Sequence, residues 1–106
     1  MIEDVSFQRA RAIALRFLSY RPRSEAEIRT RLRSKFQDCV VERVVTSLAE
    51  HHLVDDYKFA QLWRDTRDSF SPRSGKAITR ELISKGVARE IAEAAVYGTD
   101  DDGNAY

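Results

Sequence analysis

The chain has 106 residues, about one domain's worth, of which 42% are hydrophobic and 33% charged, with a net charge of +1. That total excludes any argument for a strongly acidic or basic partner from bulk charge, and four glycines and two prolines leave few helix breaks, so the composition leans all-α. No apolar stretch approaches the ~20 residues that span a bilayer, Glu3, Asp4, Arg9, Arg11 and Arg16 interrupt any secretory signal, and a single cysteine, Cys39, fits a reducing cytoplasm.

In chain order, the first segment, roughly Glu3–Tyr20, spaces Ala10, Ile13, Ala14, Phe17 and Leu18 as one helical face. Pro22 ends it, because the residue before a proline is pushed out of the α region. Ser24 opens a second helix and Glu27 completes a Ser-x-x-Glu capping box, with Ile28 and Leu32 inward. Arg29 and Arg33 form one outer line of that helix, Arg31 and Lys35 another. Asp38 is the expected N-cap of a third helix striped by Val40, Val41, Val44, Val45 and Leu48. Cys39 beside Val40 and Val41 reads as a small buried hydrophobe. After Leu53-Val54, the N-cap residues Asp55-Asp56 start a fourth helix that buries Phe59, Leu62, Trp63, Thr66 and Phe70 by spacing, and Pro72 stops it. Ser74 caps a fifth helix with Ile78 and Leu82 inward, and Gly86 closes it. The sixth, about Ala88–Tyr97, carries Ile91, Ala92, Ala95 and Val96 and ends at Gly98.

The order of these pieces repeats. Arg21–Lys35 returns fifty residues later as Ser71–Lys85, with identities at Pro22/Pro72, Arg23/Arg73, Ser24/Ser74, Ile28/Ile78, Leu32/Leu82, Ser34/Ser84 and Lys35/Lys85. The register slips by one at Gly86, after which Val40 pairs with Ile91, Glu42 with Glu93 and Val45 with Val96. Self-similarity at a fixed period signals a repeat architecture. The expected fold is therefore all-α: tandem three-helix repeats, two units and six helices, elongated. The units are residues 1–52 and 53–97, followed by a tail, 98–106, with no apolar face.

Charge repeats as well. Residues 21–35 carry a net +4 and 71–86 a net +3, while 36–56 and 87–106 each carry −4. Each second helix is basic and each third acidic. Two readings fit this pattern equally: solvated faces laced by i, i+4 pairs such as Glu27/Arg31 and Glu81/Lys85, or a recurring cationic strip that tracks a polyanion or an acidic groove.

Other chemistry finds no support. His51-His52 with Asp55-Asp56 lacks a third soft ligand, and adjacent histidines diverge on a helix, so a polar helix end and a cap explain them. There is no Walker loop, GxSxG, HExxH or glycine-rich phosphate cradle. A helix-turn-helix reader would need a cationic third helix, yet Val40–Leu48 sets Arg43 against Glu42, and Arg89 faces Glu90 and Glu93. No enzyme, cofactor or metal is expected.

The combination of Leu15–Leu32 (LRFLSYRPRSEAEIRTRL), Leu53–Ala60 (LVDDYKFA) and Arg80–Val87 (RELISKGV) resembles the RecX regulatory proteins of bacteria, over roughly residues 10–97. The resemblance implies a non-enzymatic modulator of the RecA recombinase. Such a protein lies along the RecA–single-stranded DNA filament and inhibits ATP hydrolysis and strand exchange in DNA repair and the SOS response. Residue by residue it implies partner or nucleic-acid contacts at Arg21, Arg23, Arg29, Arg33 and Lys35, and at Arg73, Lys76, Arg80 and Lys85. The competing readings are a DNA-binding helical module that acts without RecA, and a helical scaffold for an acidic protein. Members of that family continue into a third three-helix repeat, and Asp102–Tyr106 resembles the junction to it. An apolar surface left by that repeat would favour self-association.

Overall fold

A computed structural model describes residues 2–70 and 74–98. Among them are six helices and no strand: α1 (Ile2–Tyr20), α2 (Glu25–Arg33), α3 (Asp38–Glu50), α4 (Asp56–Phe70), α5 (Gly75–Ser84) and α6 (Arg89–Tyr97). The chain divides into two compact units, Met1–Asp55 and Asp56–Tyr106, each with three helices.

In the first unit the valine stripe of α3 (Val40, Val41, Val44, Val45, Leu48) packs against Ile28 and Leu32 of α2 and the small Ala10 and Ala14 of α1, and Val54 closes the same core. Alanine at both α1 positions lets the helix backbones approach, and the larger Phe7, Ile13, Phe17 and Leu18 seal the edges half-buried. α1 ends at Tyr20, just before Pro22, as the proline rule requires. Ser24 is fully buried: its Oγ accepts from the Glu27 N–H at 3.1 Å, and Glu27 Oε1 accepts from the Ser24 N–H at 3.1 Å. The capping box read from the sequence is complete.

The second unit buries Phe59 and Ala60 of α4, Ile78 and Leu82 of α5, Val87, and Ala92 and Ala95 of α6. Trp63 stacks on Phe59 with ring centroids 6.2 Å apart. Its indole N–H donates to Glu81 at 2.9 Å, and the other Glu81 oxygen accepts from Arg67 at 3.1 Å. Ser74 caps α5 by accepting from the Ala77 N–H at 3.2 Å. Alanine stands here where the first unit has Glu27, so only half of the box recurs.

Three expectations are corrected. Gln37, not Asp38, occupies the α3 N-cap, and it makes no side-chain cap bond. Asp38 lies inside the first turn and turns its carboxylate to Arg33, 3.6 Å away. Cys39 is exposed, because Val40 and Val41 take the inward arc of that turn. Leu62 is 50% exposed and Thr66 is exposed, since Phe59, Ala60 and Trp63 centre the α4 stripe and Leu62 falls roughly 110° from it at 100° per residue. The expectations for Pro72, for the Phe70 side chain and for the tail lie outside the described residues.

Two helix ends share one device. Beyond α5, Gly86 has φ 91°, its N–H donates to the Ile83 carbonyl at 2.9 Å, and the Val87 N–H donates to Leu82 at 3.1 Å. This is a Schellman motif with glycine at C′. Beyond α3 the same pair of bonds joins His52 to Ala49 and Leu53 to Leu48, but the left-handed residue is His52, at φ 59°. A side chain there costs about 1 kcal/mol that glycine does not. His52→Gly is expected to raise the chain's stability by roughly 0.5–1 kcal/mol, read as a higher urea midpoint with an unchanged slope.

Candidate cationic faces of the second helices

Cations in and around α2 are held by neighbouring side chains and carbonyls. Arg21 forks onto Glu27 (2.9 and 3.4 Å) and donates to the Pro22 carbonyl at 2.8 Å, which stiffens the capping box. Arg23 lies 3.7 Å over the Phe17 ring and donates to the Phe17 carbonyl at 3.2 Å, in the last turn of α1. Burial chiefly, and then the Arg21 charge beside it, lower the pKa of Arg23, while Glu27 opposes the shift. Arg29 makes a two-pronged contact with Glu42 of α3 at 2.8 and 3.1 Å and also reaches Glu25 at 3.4 Å. Arg33 spans Asp38 and Glu42 at 3.6 and 3.8 Å with half its side chain exposed. The hydrogen bond from Arg29 leads the causes that lower the Glu42 pKa. Lys35 is exposed.

The alternation of basic second helix and acidic third helix thus has an internal use in the first unit, where α2 and α3 are joined across their seam by charge. Arg33 and Lys35 are the predicted site residues that this unit presents to solvent. Arg31, on the other outer line, points back over Phe17 at 5.8 Å.

In the second unit the predicted residues fall differently. Arg73 lies outside the described residues. Lys85 places its ammonium 5.0 Å from the Trp63 ring centre. Lys76 and Arg80 are exposed and stand on the wall of a cavity of about 390 Å3 between α5 and α6. Across it lie Arg89, Glu93 and Tyr97. Sequence reasoning passed over Thr79, Arg89 and Tyr97. The signal that finds them is the one-residue slip at Gly86, which aligns Asp38 with Arg89 and Thr46 with Tyr97.

Among the described residues no group of three His, Cys, Asp or Glu could hold a metal ion, and no helix is long and apolar enough to cross a membrane. His51 is the α3 C-cap, and its ring Nδ1 lies 2.8 Å from the Ser47 carbonyl.

Two three-helix units with equivalent serine caps, corresponding core positions and basic second helices define a tandem helical-repeat protein. Models of the first and second three-helix domains of RecX match residues 10–48 and 55–96. The chain belongs to the RecX family. It is 36% identical over 94 residues to a protein of Mycobacterium avium and 38% identical over 97 residues to one of Thermobifida fusca, each named regulatory protein RecX. Those alignments cover 88% and 91% of this chain but 54% and 52% of the relatives, so the chain spans about half the length of the curated relatives it matches. The crystal structure of RecX from Lactobacillus salivarius superposes with a TM-score of 0.84 at 26% identity, over 88% of this chain and 61% of that one.

Proposed function

We propose that this chain is a non-enzymatic regulator that binds the RecA–single-stranded DNA filament and inhibits ATP hydrolysis and strand exchange. Membership of a family whose members are named regulatory proteins supports a regulatory role. The observation that carries the filament reading is the presentation of cations on both second helices after internal pairing is satisfied. Arg33, half-exposed although it spans Asp38 and Glu42, ends α2 with the exposed Lys35 just beyond it, and Lys76 and Arg80 stand on α5. Cations that recur in each helical unit suit a ligand that is itself a repeating polyanion coated with protein.

The test is the single-stranded-DNA-dependent ATPase of RecA with this protein titrated in. Inhibition is expected at concentrations well below those that bind naked DNA. Lys76→Glu with Arg80→Glu should raise the half-inhibitory concentration about tenfold or more, as loss of two phosphate-class contacts does. A titration curve unmoved by that double reversal would refute the assignment of α5 to the filament.

A further inference from the structure

The two units differ most where their second and third helices face each other. In the first, Arg29 and Arg33 cross the seam to Glu42 and Asp38 and close it. At the matching places of the second, Thr79 stands for Arg29, Ile83 for Arg33, Arg89 for Asp38 and Tyr97 for Thr46, while Glu93 keeps the place of Glu42. Both bridging arginines are gone, and the cavity of about 390 Å3 lies in that seam. Its size falls in the range of small-ligand sites.

The lining has a definite chemistry. Lys76 and Arg80 from α5 and Arg89 from α6 bring three cations to one cavity against a single carboxylate, Glu93, which Arg89 approaches only at 3.9 Å. Thr79 is 6% exposed, and its Oγ1 makes no hydrogen bond. A buried hydroxyl without a partner is the exception in folded proteins. Tyr97, 56% exposed, packs against the first residue of α5: a Cβ on Gly75 would overlap its ring. The glycine therefore seats an aromatic ring at the cavity with much of its surface open to a ligand.

We propose that this seam is a one-nucleotide site for single-stranded nucleic acid, with phosphates on Lys76, Arg80 and Arg89 and the base stacked on Tyr97. The proposal deepens, and rests on, the reading of the basic second helices as a binding face. Glu93 favours a nucleotide over an acidic peptide. An acidic side chain brings only acceptors and leaves Glu93 to a backbone N–H, whereas a base with an exocyclic amino group brings a side-on donor for Glu93 together with its phosphate. An aromatic platform beside cations is the ordinary equipment for holding single strands. The first unit, its seam locked by salt bridges, lacks the site, so the two repeats are not equivalent binders.

The experiment is fluorescence anisotropy of a labelled single-stranded oligodeoxyadenylate with the full chain, across a salt series and without RecA. Tyr97→Ala is expected to weaken binding about tenfold, and Tyr97→Phe to leave it within twofold. Lys76→Ala and Arg80→Ala should each flatten the salt dependence by about 0.7 in log–log slope. The decisive variant is Thr79→Arg, which adds a cation yet rebuilds the bridge to Glu93 and fills the seam. Weaker binding despite the added charge supports the site, and equal or tighter binding overturns it in favour of diffuse electrostatics. Ile83→Arg makes the same closure at a half-buried position should Thr79→Arg lose helicity by circular dichroism. Competition by an oligoglutamate peptide as effective as unlabelled oligonucleotide would likewise overturn the nucleotide assignment. Because RecA is absent from every arm, failure here leaves the ATPase test of the filament reading independent.

Discussion

Leu82→Ala is expected to unfold most of the second unit at room temperature. Leu82 is fully buried on α5 and belongs to a core of seven buried residues, three of which are already alanine. Neighbours that small cannot move in to fill a lost isobutyl group, so the cost should lie in the upper part of the ~2–5 kcal/mol seen for buried leucine truncations. A unit of about 50 residues has roughly 3–7 kcal/mol in hand at 0.05–0.15 kcal/mol per residue, and the substitution takes most of that margin. The chain's single tryptophan makes the measurement specific. Trp63 lies against Phe59 and Glu81 in the second unit, so its fluorescence follows that unit in a urea titration. A midpoint shifted by less than the equivalent of about 1 kcal/mol would show that the core repacks around the gap.

That core was legible in the sequence because burial obeys helical periodicity, and the repeat allowed each unit to check the other. Ile28 and Leu32, matched by Ile78 and Leu82, are all within 2% of full burial. Ser24 with Glu27 and Ser74 alone formed the caps that their spacing specified, and Gly86 took the left-handed turn that its place after a helix suggested. What periodicity could not settle was rotation about a helix axis when two stripes compete. Leu62 lost to Ala60 because a small residue permits closer approach than a large one. Cys39 was misplaced for a related reason: apolar neighbours in sequence point along different directions of a helical turn.

Charge was harder still. A net +4 on one segment and −4 on the next is visible in the letters, but it does not say whether the opposite charges meet each other or meet a ligand. In the first unit they meet each other. The contacts of Arg29 and Arg33 with α3 run 13, 9 and 5 residues along the chain, and they form where the folded seam brings the two helices together. The seam of the second unit was invisible for the opposite reason. Its character comes from what replaced the arginines, and a threonine and an isoleucine among charged residues give no warning of a cavity.

Arg29→Glu should cost the first unit about 1–2 kcal/mol, the sum of a lost two-pronged ion pair and new repulsion from Glu25 and Glu42. Adding Glu42→Arg should return most of that stability, because the swapped pair can form the same bridge with its charges exchanged. Acid gives a second view of the contact. Glu42 titrates below the usual carboxylate value chiefly because Arg29 hydrogen-bonds it, with the charges of Arg29 and Arg33 assisting. A carboxylate depressed in the folded state contributes stability above its unfolded pKa of about 4.3 and loses it as pH falls through the lower folded value. The wild-type chain should therefore destabilise more steeply than Glu42→Gln as pH falls below about 4. Parallel acid limbs for the two proteins would remove Glu42 from the account. The swap also decides what Arg29 is for. A guanidinium whose Nε–Nη2 edge is given to Glu42, with Glu25 beside it, has less to offer a phosphate, so Arg29→Glu/Glu42→Arg should inhibit the RecA ATPase within twofold of wild type. Restored stability with lost inhibition would instead make Arg29 a filament contact that the salt bridge holds in place.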